Sequence, residues 1–160
     1  MRSIIALLSS VLLAGFGSAQ DAPTKVVREV VPIRFNIIPD LEVYPQAEPK
    51  DLLASLIKAI EKDRFDYVLA HLSETAFVDQ KIGDSKATFE ELVGASKVKF
   101  REDPSLLKAI KLLAREGEVN DQGAAATVAH KDLKDRKIFL VKVGQRWFLK
   151  NERVDAKAKP

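Results

Sequence analysis

Lys137-Ile-Phe-Leu-Val-Lys-Val-Gly-Gln-Arg-Trp-Phe-Leu-Lys150 decides the fold. It reads as two strands joined by a two-residue turn at Gly144-Gln145. Glycine at the first central position suits a type II′ turn, which needs φ > 0 there and matches strand twist. That turn sets a register: Val143 opposite Arg146, Lys142 opposite Trp147, Leu140 opposite Leu149. Side chains alternate between faces. One face carries Ile138, Leu140, Trp147 and Leu149. The other carries Phe139, Val141, Val143 and Phe148. Both are largely apolar, so both need cover. The first set is the expected core or ligand-pocket lining. The second is the expected contact surface for a homodimer or protein partner, unless an N-terminal arm lies across it.

Immediately upstream, Ala124 to Lys131 alternates as a strand after the turn cluster Asn120-Asp-Gln-Gly123. Ala124, Ala126 and Val128 are small, so a helix can approach that face closely. Further back the pattern is helical. Leu52, Leu53, Leu56, Ile57 and Ile60 recur at 3.6-residue spacing behind Glu48, Pro49 and Asp51, which suit a helix start. Asp63 can cap a second, short helix with Phe65, Val68, Leu69 and Leu72 on one face. Ser73-Glu-Thr75 ends it, and Ala76-Phe-Val-Asp79 reads as a short strand. Thr88-Phe-Glu-Glu91 has the capping-box pattern, and Phe89, Leu92, Val93, Ser96 and Phe100 follow it at helical spacing. Asp103-Pro104 opens a further helix through Leu106, Leu107, Ile110 and Leu113, stopping near Gly117. The expectation is an α+β domain over residues 48–151, with N-terminal helices packed on a curved antiparallel sheet.

The N-terminal region divides in two. Residues 1–19 have the form of a secretory signal: Arg2, an apolar run from Ile4 to Leu13, and small residues Gly17-Ser-Ala19 before a cut at Gln20. The run is short for a bilayer span, and nothing later approaches that length. An exported protein, periplasmic or secreted, is therefore expected. Residues 20–47 hold Pro23, Pro32, Pro39 and Pro45 and read as an extended arm. Within it Ile33, Phe35 and Ile37 alternate like a half-buried strand. Residues 152–160 read as a frayed basic tail.

Composition excludes several functions. After loss of Arg2 the chain has 25 Lys or Arg against 23 Asp or Glu, a net charge of +2, which is not that of a nucleic-acid binder. There is no cysteine, and the only histidines, His71 and His130, are far apart. A thiolate or multi-histidine metal site is thus unavailable, and no cofactor is implied. Carboxylates at Asp121, or at Asp132 and Asp135, leave a calcium site open, although none has the twelve-residue calcium-loop spacing. No phosphate-binding glycine loop or Gly-x-Ser-x-Gly elbow is present. On an α-helix the Phe65, Val68, Leu69, Leu72 face leaves Asp66 and His71 about 110° to opposite sides. Tyr67 and His71, at i and i+4, form an outward pair. His130 shares a strand face with Ala124, Ala126 and Val128. If that face lines a cavity, His130 is the usable acid or base, and Asp79 is the carboxylate to pair with it.

The order of elements resembles the NTF2-like superfamily of cystatin-like α+β cones. The stretches that carry the resemblance are Leu52-Leu-Ala-Ser-Leu-Ile-Lys-Ala-Ile-Glu-Lys-Asp-Arg-Phe-Asp-Tyr67, Ala76-Phe-Val-Asp79, Phe89-Glu-Glu-Leu92 and the terminal Val143-Gly-Gln-Arg-Trp-Phe-Leu149. It spans about residues 48–151 and is similar to small exported bacterial proteins of that type. The helix read over residues 103–116 is an addition to the pattern, placed to cover the cone's mouth. Members of that superfamily include enzymes and transport adaptors, so function is read from the residues: the absence of an acid–base cluster beside a complete core pattern points to a non-enzymatic module binding a small apolar ligand or a protein partner. The alternative is a pocket enzyme of the isomerase, dehydratase or hydrolase type seen on that fold, using His130 with a carboxylate.

Overall fold

The computed structural model describes residues 31–85 and 87–151. The segment expected to be a signal at 1–19, the first part of the expected arm and the expected tail at 152–160 lie outside the described residues. The fold is α+β. Its elements are α1 (Pro49–Glu61), α2 (Phe65–Tyr67) running into a π-helical segment (Val68–Leu72), α3 (Thr75–Ser85), α4 (Phe89–Glu102), α5 (Ser105–Glu116), β1 (Glu118–Asp121), β2 (Ala125–Ala129), β3 (Ile138–Val143) and β4 (Arg146–Lys150). The strands form an antiparallel meander in the order β1-β2-β3-β4.

The terminal hairpin has the register that its turn dictates: Val143 pairs with Arg146, Lys142 with Trp147 and Leu140 with Leu149. Gly144 carries φ = 62°, the left-handed value a first turn position requires. The face with Ala126, Val128, Leu140 and Trp147 is buried against α1, α2, the π segment and α5, and these residues share one core with Leu52, Leu53, Leu56, Phe65 and Leu113. The small side chains on β2 do allow a close approach. Gly117, between α5 and β1, sits where a Cβ would lie 2.3 Å from the Leu113 carbonyl oxygen and 2.7 Å from Val128 Cγ1.

Helix ends follow local chemistry. Thr88 Oγ1 accepts from the Glu91 N–H at 3.2 Å, and the Glu91 carboxylate accepts from the Thr88 N–H at 2.8 Å. Glu48 and Asp51 make the equivalent reciprocal pair at the start of α1. Asp63, expected to cap the second helix, instead closes the first. It lies in the left-handed region (φ = 56°), its N–H donates to Ile60 O and the Arg64 N–H donates to Ala59 O. That is the 5→2 and 6→1 pattern of a Schellman motif, with aspartate where glycine is usual.

Three local expectations are corrected. Ala76–Asp79 is helix within α3, not strand. Phe77, Val78 and Ile82 recur at helical spacing and pack with Ala70 and Phe89 in a second core cluster. The Ser73-Glu-Thr75 segment opens that helix as well as ending the one before it. Next, Ile33, Phe35 and Ile37 do not form a strand. Arg34 and Ile37 exchange backbone hydrogen bonds across a two-residue turn in which Phe35 (φ = 50°) and Asn36 (φ = 61°) are both left-handed. Phe35 is held in this unfavourable conformation by stacking on Phe89, with ring centroids 4.0 Å apart and planes 7° from parallel. Finally, Tyr67 and His71 are buried, not outward. The angular argument assumed an α-helix, but beyond Tyr67 the turn widens, with the Ser73 N–H donating to Val68 O. The flank is also covered by the chain before α1.

That covering strap, Val31–Ala47, is fixed by polar contacts to the end of the π segment. The last carbonyls of a helix lack partners within it. Here Arg34 donates to Ala70 O at 3.5 Å, and Gln46 Nε2 donates to His71 O at 3.0 Å and Trp147 O at 2.8 Å. The Trp147 N–H donates back to Gln46 O at 2.9 Å. The Tyr67 hydroxyl accepts from the Asp40 N–H and donates to Asp40 O. His71 Nε2 lies 2.8 Å from Ile37 O, so it carries the proton. Tyr44 completes the strap inside the main core.

Candidate functional site

α4 shows an anomaly that locates the site. Its apolar stripe is formed by Phe89, Leu92, Val93 and Phe100, yet only Phe89 is buried. The half-buried Val93 packs against both core clusters, while Leu92 and Phe100, also half-buried, line a hollow of about 430 Å³. All five α-helices and the hairpin contribute to its wall. Leu56 comes from α1, Phe65 from α2, Val68 and Leu69 from the π segment, and Phe77 and Val78 from α3. Leu92, Ala95 and Phe100 come from α4, Ile110 from α5, Ile138 from β3 and Leu149 from β4. The volume lies within the range of small-molecule pockets, about 300–1,000 Å³.

The π segment shapes this wall. Widening the helix turns Val68 and Leu69 to the cavity while Tyr67 and His71 lodge under the strap. Helical distortions of this kind recur at functional sites. The His71 ring is held neutral. Burial lowers its pKa most, the bond to the Ile37 carbonyl raises it, and the neighbouring Arg34 and Arg146 lower it further. Burial likewise raises the Tyr67 phenol.

Polar members of the lining are few: Ser73, Ser96, Lys81, Lys99 and Asn151. Ser96 and Lys99 stand one turn apart on α4. Lys81, Lys99 and Asn151 are exposed. The Lys81 ammonium lies 5.8 Å from the Phe77 ring centroid. None of the described lining residues is a carboxylate or a histidine.

The residues singled out from sequence separate into groups. Ile138 and Leu149 line the cavity. Leu140 and Trp147 are core, fully packed beneath it. Phe139 and Val141 on the opposite face are half-buried, Phe148 is 5% exposed, and Val143 is 55% exposed. Of the residues expected to form a contact surface or to lie under the arm, Phe148 is thus buried within the described chain and Val143 is exposed. His130 and Asp79 are not brought together. His130 Nδ1 accepts from the Asp132 N–H at 3.2 Å, and its Nε2 lies 3.6 Å from Glu116 Oε2. Asp79 is paired with Arg34 on the strap. Neither lines the cavity.

Three further hollows are less suited to an apolar guest. One of about 680 Å³ on the outer sheet face is bordered by Glu118, Asn120, Lys134, Asp135 and Lys137. Another, of about 540 Å³, borders Trp147 with Glu48, Lys50, Asp121 and Lys142. The third, of about 260 Å³, is rimmed by Asp63, Lys97 and Arg101. Among the described residues no group of three or more His, Asp or Glu side chains gathers as a metal site, and no helix is long and apolar enough to cross a membrane. Asp121 caps its own turn by accepting from the Gly123 N–H.

Sequence reasoning missed the contributions of α3, because Phe77 and Val78 were assigned to a strand. It also missed both lysines. One mark was visible: Ser96 interrupts an otherwise apolar stripe on α4, as a residue facing a hollow would. The sequence matches no known family model, and no curated protein or solved structure matches it.

Proposed function

We propose that the protein is a non-enzymatic exported module of the NTF2-like type that binds a small apolar ligand in the cavity between α3, α4 and the β3–β4 hairpin. The observation that carries this reading is the lining: apolar side chains converging from every α-helix and two strands, with few polar groups among them. Binding pockets have that composition, whereas acid–base catalysis needs titratable groups facing the reacting atoms. Export rests on the pattern of residues 1–19. The NTF2-like assignment rests on the helical region and the terminal Gly144-Gln-Arg-Trp-Phe-Leu149. The Ala76–Asp79 stretch, helical here, lends it nothing.

The test is titration with the neutral fluorescent dye N-phenylnaphthylamine, comparing the native sequence with Leu92→Trp. The indole would occupy the hollow from the α4 side. Saturable binding by the native protein, weakened at least about tenfold in a variant that melts normally, supports the reading. Unchanged dye affinity in Leu92→Trp refutes it.

A further inference from the structure

We infer that the ligand is a neutral, mainly hydrocarbon molecule carrying one hydroxyl or carbonyl oxygen, and that this oxygen pairs with the Ser73 hydroxyl. This rests on the cavity reading above and specifies the chemistry of its ligand. Ser73 lines the hollow and is 2% exposed, and among the described lining residues it is the one buried polar side chain. It is paired with Leu149 across an isolated parallel bridge. Bridged residues project to the same side of the backbone, and Leu149 is itself part of the cavity wall. The serine hydroxyl is thus carried on the cavity side.

The surrounding backbone is satisfied without that hydroxyl. The Ser73 N–H donates to Val68 O at 2.9 Å, and the Glu74 N–H donates to Leu149 O at 2.9 Å. Nor does the side chain cap α3. The Val78 N–H donates to Glu74 O at 3.3 Å, which makes Glu74 the capping position and leaves Ser73 one residue too early. Among the described residues no hydrogen bond engages the Ser73 side chain, and Gln46 Oε1 is the only side-chain polar atom both sealed and unpartnered. The Ser73 oxygen therefore opens on the hollow. A hydroxyl in an apolar wall costs free energy until something bonds to it. With one donor and two acceptor pairs, it suits an alcohol or a ketone equally. It offers no counter-charge, so a carboxylate or ammonium held there would lose its hydration without compensation. The buried wall around it, from Leu56, Phe65, Val68 and Val78, meets hydrocarbon alone.

The experiment compares 4-propylphenol with its isosteric hydrocarbon 4-propyltoluene, by displacement of N-phenylnaphthylamine whose affinity is first measured for each protein. Native protein, Ser73→Ala and Ser96→Ala are titrated, and thermal melting is recorded for all three. Ser73→Ala should weaken the phenol about three- to tenfold relative to the hydrocarbon, the worth of one hydrogen bond. Its Tm should equal or exceed the native value, because no bond within the protein is lost. Ser96→Ala should keep the native preference for the phenol. A phenol-to-hydrocarbon ratio unchanged in Ser73→Ala, or lost in Ser96→Ala instead, overturns the hydroxyl assignment and leaves the apolar cavity standing. A marked fall in Tm for Ser73→Ala would give the hydroxyl to the fold and overturn the assignment too. If neither compound displaces the dye the assignment falls, and the cavity reading falls with it where Leu92→Trp also leaves dye binding unchanged.

Discussion

Gln46→Met isolates what holds the strap to the body of the domain. Gln46 is 2% exposed, and its amide donates to two carbonyls from segments far apart in sequence, His71 and Trp147. With two acceptors in front of it, the NH₂ group must face them, which leaves Oε1 buried and without a partner. Methionine is close in length and volume, so the change removes hydrogen bonding with little change in packing. Two stranded buried carbonyls cost about 1–3 kcal/mol each, while eliminating the unpartnered oxygen returns about 1–3 kcal/mol. The net expected loss is about 1–3 kcal/mol, a fall in Tm of roughly 3–12 °C for a domain of this size. Urea unfolding followed by the fluorescence of Trp147, itself 2% exposed and the only tryptophan, reads this directly. Gln80→Met is the control. Its amide bonds only the exposed Asp84 carboxylate, so its effect should stay within about 0.5 kcal/mol. If Gln46→Met is as neutral as the control, the strap is not held by this amide and the reasoning fails.

Further outcomes follow from other elements. Gly117→Ala should destabilise by about 1–3 kcal/mol in the same urea assay, because its Cβ must displace backbone of α5 and the Val128 side chain. A neutral result would mean that α5 and β2 have room to part. At position 63, stability should rank Gly at or above Asp, and Asp above Val, since the site is left-handed. The exposed Lys97–Asp63 pair offsets little of this. Valley-free ranking by thermal melting, with Val equal to Gly, would contradict the Schellman assignment. Stability should fall as pH drops below the ordinary histidine value of about 6.5, and level off beneath the lowered pKa of His71. In that window the unfolded chain binds a proton that the buried ring does not. His71→Gln keeps a donor toward Ile37 O and should flatten this part of the pH–stability curve; an unchanged slope would assign it elsewhere.

The parts of the fold that were legible in sequence are those fixed by short-range chemistry. Gly144-Gln145 set both the turn and the register of β3 with β4, because a two-residue loop leaves no slack. Thr88 and Glu91 marked the start of α4 by satisfying each other's donors. What escaped was settled by tertiary contacts. Ala76–Asp79 is too short for its periodicity to separate strand from helix, and packing of Val78 against Ala70 and Phe89 decided it. Tyr67 and His71 were placed by a helical period that the π turn breaks, and they went inside because Ile37 and Asp40 supply their polar partners. Phe35 in a left-handed turn has no local signature at all; its ring stacks on a residue more than fifty positions away. Part of the candidate site was legible, since Ile138, Leu149, Phe65 and Val68 stood out as inward-facing. Lys81 and Lys99 did not, because an exposed lysine on a helix looks the same whether it borders solvent or a cavity.

The most direct measurement is a methyl NMR titration with N-phenylnaphthylamine on the purified protein. The account predicts that Val78, Leu92, Ile138 and Leu149 methyls shift together and saturate, while the packed core methyls of Leu53, Val128 and Leu140 move little. Shifts confined to exposed Ile33, Ile38 and Val143, with the cavity methyls silent, would contradict it.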